Sequence, residues 1–326
     1  MALTRRGDPV LRAIDLALAP PGPGELLLRV ARCGVCRTDL HLVDGELKLS
    51  QWPRVPGHEA VGTVVAAGAG CRRFAPSARV GVPWLHATCG ACDWCHRQRE
   101  NLCEDAHFTG WTVDGGYAQY LRARERFCFA LPERYSDDEA APLLCAGLIG
   151  WRALAMAPEA RTLGLYGFGA AGHLVAQVAL QQGRSVYAFT RPGDEAAQAH
   201  ARELGVHWAG GSDDKPPSPT DGALLFAPVG DLVPIALAHS QPGSTIVCAG
   251  IHMSDIPRMP YALLWRERCV RSVANLTRRD GEEFFAWSAS HPLVIRTEVF
   301  ALADANEAIA RLRSGQVTGA AVLDCR

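Results

Sequence analysis

One short stretch of the chain is rich in side chains that bind metals or carry protons. It contains Cys36-Arg37-Thr38-Asp39-Leu40-His41 and, further along, Gly57-His58-Glu59. Thiolate, imidazole and carboxylate groups bind zinc, and imidazole and carboxylate groups also transfer protons. No structural requirement explains all of these groups in one short segment. We therefore predict that the stretch belongs to a catalytic metal site, which the rest of the chain completes and supplies with a redox cofactor.

A second set of potential metal ligands is formed by four closely spaced cysteines. Their pattern is Cys89-x2-Cys92-x2-Cys95-x7-Cys103. Four thiolates at this spacing can surround one zinc ion tetrahedrally, and such a site has no open position for a substrate. A structural zinc site is therefore predicted here, with an iron–sulfur cluster and a redox pair of cysteines as the alternatives.

A further cysteine is the candidate that completes the catalytic site. Together with Cys36 and His58, Cys145 would provide two thiolates and one imidazole, a known ligand set of catalytic zinc sites that keep one exchangeable position. Taken alone, Cys145 is better explained as a small buried residue, and His58 as an ordinary surface or core histidine. The prediction therefore depends on the three residues together.

A glycine-rich segment predicts a dinucleotide-binding site. Gly167-Phe168-Gly169-Ala170-Ala171-Gly172 follows the predicted strand Thr162–Tyr166 and opens an apolar helix, and a second predicted strand follows. In this context the first glycine permits a tight turn, the second lets a pyrophosphate approach, and the third lets the helix pack on the strand. The positive end of the helix then faces the phosphates. The predicted contacts to the cofactor come from Gly167, Gly169, Ala170 and Gly172.

The end of that second strand indicates which dinucleotide binds. An NAD enzyme would place Asp or Glu there, against the ribose 2′-hydroxyl, whereas this chain has Thr190 and Arg191. An arginine beside a hydroxyl suits a 2′-phosphate, so NADP(H) is predicted in preference to NAD(H). Asp194 and Glu195 are the acidic alternatives, but they are better explained as the first turn of a helix.

The elements that position these residues predict an α/β protein with two domains. Residues 1–143 contain short strands broken by turn residues, which indicates a mixed or antiparallel β domain that includes a four-cysteine lobe at 84–107. Residues 144–275 alternate strands and helices, as in βαβ units on a doubly wound parallel sheet. Residues 276–326 mix strand and helix, and we expect them to pack back onto the first domain.

Several connecting segments also carry specific predictions. Ser136 is expected to cap a helix that continues, rich in Ala and Leu, through Cys145. A polar, proline-rich surface loop is expected between Gly210 and Thr220. A strand is expected near Leu293–Val299 in the tail, and another over Arg268–Val273 at the end of the second domain.

Composition argues against several classes of partner. The 326 residues have a formal net charge of −1, so nothing favours nucleic acid or an anionic membrane. No run approaches the ~18 uncharged apolar residues of a membrane helix. The first residues are not followed by the apolar core of a signal peptide. We expect a cytoplasmic protein that acts on a small molecule.

Taken together, these segments resemble the zinc-dependent, medium-chain alcohol dehydrogenases, and in particular the shorter bacterial members. The segments that resemble the family, and that occur in its order, are Cys36–His41, Gly57–Glu59, the four-cysteine lobe, Asp114-Gly115-Gly116-Tyr117-Ala118, Cys145-Ala146-Gly147 and the glycine-rich segment. The resemblance implies a GroES-like catalytic domain, a Rossmann cofactor domain and two zinc ions per chain. It also implies a homodimer or homotetramer, in which Arg268–Val273 could pair edge to edge with its counterpart.

The resemblance assigns roles around the predicted catalytic zinc. Cys36, His58 and Cys145 would bind the ion. Glu59 would be a nearby carboxylate that can replace water during ligand exchange, and Asp39 would orient the imidazole of His58.

Other implied roles concern the substrate. Thr38 would hydrogen-bond the substrate oxygen, and His41 would pass its proton to solvent. Trp84 and Trp111 are candidates for the wall of the substrate pocket, although buried scaffold aromatics explain them equally well.

The implied reaction is the reversible oxidation of an alcohol to an aldehyde or ketone, with aldehyde reduction as the expected direction if NADP(H) is the cofactor. A reductase of the same fold that acts on C=C or C=N bonds, and a non-catalytic NADP-binding sensor, are the alternatives. One departure from the family lies at Gly319-Ala320-Ala321-Val322, where many members have an arginine that reaches the cofactor pyrophosphate. Either another group contacts the pyrophosphate here, or the cofactor binds more weakly.

Overall fold

The computed structural model describes all 326 residues and divides the chain into two compact units. One unit contains Met1–Cys145 together with Asn275–Arg326, and the other contains Ala146–Ala274. The architecture is α/β, as predicted. None of the helices combines the length and the apolar character that crossing a bilayer would need.

The regular elements alternate along the chain in a pattern that differs between the two units. The strands are β1 (Glu25–Val35), β2 (Ala60–Ala67), β3 (Arg79–Val82), β4 (Leu85–Ala87), β5 (His107–Phe108), β6 (Tyr120–Arg124), β7 (Phe129–Ala130), β8 (Thr162–Tyr166), β9 (Ser185–Thr190), β10 (Trp208–Gly211), β11 (Thr220–Leu225), β12 (Ser240–Cys248), β13 (Cys269–Ser272), β14 (Thr297–Ala301) and β15 (Ala320–Asp324). The α-helices are α1 (Arg37–Val43), α2 (Asp93–His96), α3 (Asp137–Pro142), α4 (Leu148–Ala155), α5 (Ala170–Gln181), α6 (Glu195–Glu203), α7 (Leu232–Ala238), α8 (Tyr261–Leu264), α9 (Arg278–Ser290) and α10 (Ala305–Ser314).

The first unit is built on a seven-stranded mixed sheet. Its order is β14-β15-β1-β2-β3-β7, and β6 also pairs with β1. All of these pairs are antiparallel except β14–β15, which is parallel. Because both tail strands join this sheet, residues far apart in sequence share one core, which includes Leu28, Val30 and Leu323. A separate two-stranded sheet, β4–β5, flanks the four-cysteine segment.

The second unit is built on a six-stranded parallel sheet with the order β10-β9-β8-β11-β12-β13. Numbered from β8, this is the 3-2-1-4-5-6 order of the Rossmann fold. The central strands are almost entirely apolar and buried, as expected for parallel strands covered on both faces. The sheet therefore brings the carboxyl ends of β8 and β9, with the residues that follow them, to one edge.

The structure refines two local predictions and corrects a third, each for a physical reason. Residues Leu143–Gly147 form a π-helical turn, so the helix that Ser136 caps does not continue unchanged through Cys145. Pro142 lies immediately before this turn and has no backbone N–H to continue the hydrogen-bond ladder. The predicted loop between Gly210 and Thr220 is present, and it connects the end of β10 to the start of β11. The tail strand is Thr297–Ala301 instead of Leu293–Val299, because its position follows from its pairing with β15.

Candidate functional site

The first part of the site is positioned where β1 ends and α1 begins. Cys36 is the N-cap of α1, and its Sγ accepts the backbone N–H of Thr38 at 3.3 Å. In return, Oδ2 of Asp39 accepts the backbone N–H of Cys36 at 2.9 Å. This reciprocal capping box satisfies the free N–H groups of the first turn. It also fixes the thiol and the carboxylate relative to each other.

The structure brings four predicted residues together. Cys36, His58, Glu59 and Cys145 each contribute one donor atom to a cluster whose atoms all lie within 4.8 Å of one another. The Sγ of Cys36 lies 3.1 Å from Nε2 of His58. His58 and Glu59 are 2% and 3% exposed, so these polar groups are withdrawn from water and need partners.

The electrostatics of the cluster favour a cation at its centre. The pKa of Cys36 is lowered well below its usual value, because the thiol of Cys145 donates a hydrogen bond to it, and the pKa of Cys145 is raised correspondingly. Burial and the nearby Cys36 raise the pKa of Glu59. Burial alone would lower the pKa of His58, but the negative charges of Cys36 and Asp39 raise it overall. Two thiolates, one imidazole and one carboxylate form a donor set that suits zinc.

Asp39 lies behind the imidazole, as predicted for an orienting partner. Its Oδ1 lies 3.5 Å from Nδ1 of His58 and accepts the backbone N–H of Gly57 at 3.3 Å. Gly57 has φ +94°, and a Cβ there would lie 2.3 Å from the ring of Tyr117. The turn before His58 therefore requires glycine, and it directs Nε2 of the histidine toward Cys36.

The four cysteines of the second set also converge. The donor atoms of Cys89, Cys92, Cys95 and Cys103 all lie within 4.8 Å of one another. The Sγ of Cys89 is 3.9 Å from that of Cys95 and 3.6 Å from that of Cys103. Zn–S bonds of ~2.3 Å in a tetrahedron place the sulfurs about 3.8 Å apart, so the cluster has the dimensions of a closed zinc site. Backbone N–H groups of Ala91 and Cys92 lower the pKa of Cys89 to about 7, which favours the thiolate.

Aromatic side chains form one wall of a crevice beside His58. Trp84, Trp111 and Thr38 line a crevice that also includes His58. The ring centroid of Trp84 lies 5.8 Å from that of His58 and 6.1 Å from that of Trp111. Phe108 completes the wall at 5.1 Å from Trp84, although it is not among the predicted residues. In the sequence, only its position between the four cysteines and Gly110 points to Phe108, and that is weak evidence for a role in the site.

His41 lies on the last turn of α1, and its Nδ1 contacts the carboxylate of Glu46. Glu46 is a second residue that is not among those predicted. The turn that brings Glu46 back to His41 follows α1. The sequence patterns do not indicate this helix, so they could not place Glu46 beside the histidine.

In the second unit, the glycine-rich segment has the geometry of a phosphate-binding turn. Gly167 has φ +94°, and a Cβ on Gly172 would lie 2.3 Å from the carbonyl oxygen of Gly167. A Cβ on Gly169 would meet nothing within 4 Å, so the backbone is open to a ligand at that position. Gly169 is the N-cap of α5 and provides no side-chain hydrogen bond. The N–H groups that begin α5, starting with Ala170, therefore suit an anion.

The two residues predicted to select the cofactor differ in accessibility. The side chain of Arg191 is 88% exposed and lies 3.8 Å from Oδ2 of Asp194. Thr190 is 4% exposed, and its hydroxyl accepts an N–H of Gln198 at 3.2 Å and lies 3.3 Å from the carbonyl oxygen of Gly210. The guanidinium is therefore accessible, whereas the hydroxyl is bonded inside the unit.

Known proteins match both units. Residues 22–133 match the alcohol dehydrogenase GroES-like domain. The chain is 44% identical over 321 residues to "Probable alcohol dehydrogenase AdhA" of Mycobacterium tuberculosis, covering 96% of this chain and 92% of that protein. A cinnamyl alcohol dehydrogenase of Sorghum bicolor superposes with a TM-score of 0.91 at 26% identity, covering 99% and 96% of the two chains. A cobalt- and zinc-bound alcohol dehydrogenase of Pyrobaculum aerophilum superposes with a TM-score of 0.89 at 26% identity, covering 99% and 98%.

Proposed function

The chain belongs to the medium-chain alcohol dehydrogenase family, and from this premise we propose that it interconverts an alcohol and its aldehyde or ketone with zinc and NADP(H). Membership of this family makes the chain an oxidoreductase that acts on small molecules, so the alternative of a non-catalytic NADP-binding sensor is dropped. The zinc dependence, the preference for NADP(H) and reduction of an aldehyde as the working direction are the proposed parts.

The single observation that carries the proposal is the cluster of Cys36, His58, Glu59 and Cys145. The two cysteines and the histidine would bind zinc, and Glu59 would occupy the exchangeable position when no substrate is present. Asp39, behind Nδ1 of His58, would keep Nε2 directed at the ion. When bound, zinc supplies a Lewis acid that polarises the substrate oxygen, and the nicotinamide supplies or accepts the hydride.

The residues beside the cluster would handle the substrate and its proton. The hydroxyl of Thr38 would hydrogen-bond the substrate oxygen in the crevice, and His41 would transfer the proton to solvent. Trp84, Phe108 and Trp111 would exclude water and contact the apolar part of the substrate. An apolar wall of this kind favours a hydrophobic alcohol over a charged one.

Removal of one ligand from each cysteine set tests the proposal. We expect two zinc ions per wild-type chain by elemental analysis. Cys145→Ser should lose one zinc and about 10³-fold of kcat in oxidation of an aromatic or branched alcohol, since the Lewis acid is worth several kcal/mol of barrier. Cys103→Ser is the matched control: it should lose the other zinc and stability, and the fraction that remains folded should keep its kcat.

Two outcomes would overturn the proposal. One is a wild-type protein that keeps full activity after a chelator has removed both zinc ions. The other is a substrate panel in which simple alcohols and aldehydes do not react while C=C or C=N compounds are reduced, which would identify the alternative reductase of the same fold.

A further inference from the structure

Two polar groups in the crevice beside His58 have no hydrogen-bond partner in the chain. They are Nε1 of Trp84 and the hydroxyl oxygen of Thr109, and both atoms are buried. Both residues line the crevice, together with Thr38 and His58. Thr109 is 1% exposed, so its hydroxyl is withdrawn from bulk water. Buried polar groups in proteins are nearly always hydrogen-bonded, so two unpaired groups in one crevice need an explanation.

The pairing of the strands directs both side chains to the same face. The backbone N–H of Thr109 donates to the carbonyl oxygen of Trp84 at 2.8 Å, which continues the pairing of Leu85 in β4 with Phe108 in β5. Residues that lie opposite each other on antiparallel strands project to the same side, with Cβ atoms about 5 Å apart. The ring of Trp84 lies 5.8 Å from that of His58, so this side faces the proposed metal site. Nε1 of Trp84 and the hydroxyl of Thr109, the crevice pair, therefore lie on one wall.

Similar groups close to the crevice pair have partners within the chain. Nε1 of Trp111 donates to the carbonyl oxygen of Lys48 at 3.0 Å. The hydroxyl of Thr112 accepts the backbone N–H of Phe108 at 2.6 Å. Indole and hydroxyl groups that support the fold of this wall are thus hydrogen-bonded. The crevice pair differs from them, because its polar atoms remain available to a ligand.

We propose that the crevice pair binds a second, uncharged oxygen of the substrate, an inference that rests on the proposed function. The reacting oxygen lies beside Thr38, and an ether, carbonyl or hydroxyl oxygen farther along the molecule accepts the indole N–H and the threonine O–H. Such an oxygen has lone pairs for two donors. The residues that line the crevice include Asp39 and no Lys or Arg, so an anionic group is disfavoured there. The inferred substrates are alcohols, and the corresponding aldehydes or ketones, that carry a second neutral oxygen.

Primary alcohols of equal length test this inference. Heptan-1-ol has no second oxygen, whereas 2-butoxyethanol, 3-propoxypropan-1-ol and 4-ethoxybutan-1-ol each have an ether oxygen in place of one CH₂ group, at increasing distance from the hydroxyl. We expect kcat/KM of the wild type for one of these ethers to exceed that for heptan-1-ol by about 10-fold, because a site with unpaired donors discriminates against a substrate that lacks the acceptor. The ether with the highest value gives the distance between the two oxygen sites.

Two substitutions remove the donors one at a time. In Thr109→Val, which keeps the side-chain shape, kcat/KM for the preferred ether relative to heptan-1-ol should fall about 5-fold, the contribution of one neutral hydrogen bond. Trp84→Phe should lower the same ratio. Because the compared substrates have nearly the same size, a change in crevice volume affects both alike and leaves the ratio unchanged. Thr63→Val makes the same substitution at an exposed position of β2 and should keep the wild-type ratio.

A spectroscopic measurement reports on the crevice pair without catalysis. The ¹⁵N–¹H signal of the Trp84 indole is the one that is missing in Trp84→Phe. We expect it to move downfield when the wild type is titrated with the preferred ether, and to move less with heptan-1-ol, because only the ether accepts the N–H.

Three results would overturn the inference. They are a wild type with no preference for any of the ethers, a preference that survives in both Thr109→Val and Trp84→Phe, and a Thr109→Val variant that loses the same factor of kcat/KM with the ether and with heptan-1-ol. A wild-type protein that oxidises none of these alcohols would instead refute the proposed function. The titration of the indole signal with each ether would then still decide whether the crevice pair binds a neutral oxygen.

Discussion

We predict that the choice between the two nicotinamide cofactors depends on Arg191. The hydroxyl of Thr190 is predicted to assist it, but that hydroxyl is buried and accepts a hydrogen bond from the side chain of Gln198. Thr190 therefore stabilises the end of β9, and the exposed guanidinium of Arg191 is the group that would contact a 2′-phosphate. Its nearest carboxylate, Asp194, caps α6 by accepting the backbone N–H of Ala197 at 3.1 Å. That role explains why an acid is present beside an arginine predicted to bind phosphate.

Arg191→Asp should reverse the cofactor preference. It removes a charge-assisted contact and places a carboxylate where the ribose 2′-hydroxyl of NAD(H) would bind. We expect the ratio of kcat/KM for NADPH to that for NADH to fall by about 100-fold, which corresponds to about 2.7 kcal/mol. Arg161→Asp is the matched control, because Arg161 is an exposed arginine at the opposite end of β8. A wild-type preference for NADH, or an unchanged ratio in the variant, would contradict the NADP(H) proposal.

At the scale of elements, two arginines of the mixed sheet form ion pairs with the first residues of α3. Arg32 of β1 contacts Asp138 and also Asp324 of β15 at 2.6 Å. Arg79 of β3 donates to Asp137 at 2.7 Å. The helix leads directly into the π-helical turn that contains Cys145. These ion pairs therefore hold the start of the helical segment that leads to Cys145, the third of the proposed metal ligands.

Arg32→Ala should loosen the proposed catalytic metal site without affecting the four-cysteine site. Loss of Arg32, which is 8% exposed, leaves Asp138 without this cation and Asp324 with Arg326 alone, so the free energy of unfolding should fall by about 2 kcal/mol. Cys145 should be held less firmly, and a chelator should extract one of the two zinc ions faster than from wild type. Arg122→Ala breaks an exposed contact to Glu25 at 3.9 Å and should change neither quantity. Equal chelator resistance in Arg32→Ala and wild type would exclude this role.

Elements with strong local signals could be predicted from the sequence, and elements set by distant contacts could not. Strands β8 and β9 are predicted to the residue, because each is an apolar run bounded by polar or glycine residues. Strand β10 is missed, because half of its residues are glycine. The π-helical turn has no distinct period, and the position of β14 follows from its partner β15.

The same distinction applies to the candidate site. Metal donors are recognisable by residue type and spacing, and the structure brings the predicted donors together. Glu46 is an ordinary surface glutamate in sequence, and its relation to His41 appears only when the left-handed turn at Gly45 is known. Phe108 likewise becomes part of a wall only through its packing against Trp84.

At the scale of the whole molecule, the predicted combination of a GroES-like domain and a Rossmann domain is confirmed by the matching family and the matching structures. The two architectures suit different tasks. The mixed sheet and its loops bring together the potential metal donors, which come from segments distant in sequence. The parallel sheet places the glycine-rich turn and Arg191 at one edge. Function is thus divided between a unit that suits zinc and a unit that suits a dinucleotide.

The parallel sheet also has an open edge that predicts self-association. Its last strand, β13, pairs with β12 on one side and with no strand of the chain on the other. Tyr261 and Trp265, which precede it, are 69% and 59% exposed and their rings lie 5.9 Å apart. An unpaired strand flanked by exposed aromatic residues is a pairing surface unless something covers it. A second copy of the chain, joined edge to edge through β13, would continue the sheet.

Two charged substitutions at this edge should prevent that association. We expect the wild type at micromolar concentration to have at least twice the mass of one chain by light scattering after size exclusion. The double variant Tyr261→Glu, Trp265→Glu should have the mass of one chain, because like charges would face each other across the pairing axis and the apolar contact would be lost. Val65→Glu, at a 44% exposed position on β2, is the matched control and should keep the wild-type mass. A monomeric wild type, or a double variant with the wild-type mass and an unchanged circular dichroism spectrum, would rule out this edge as the interface.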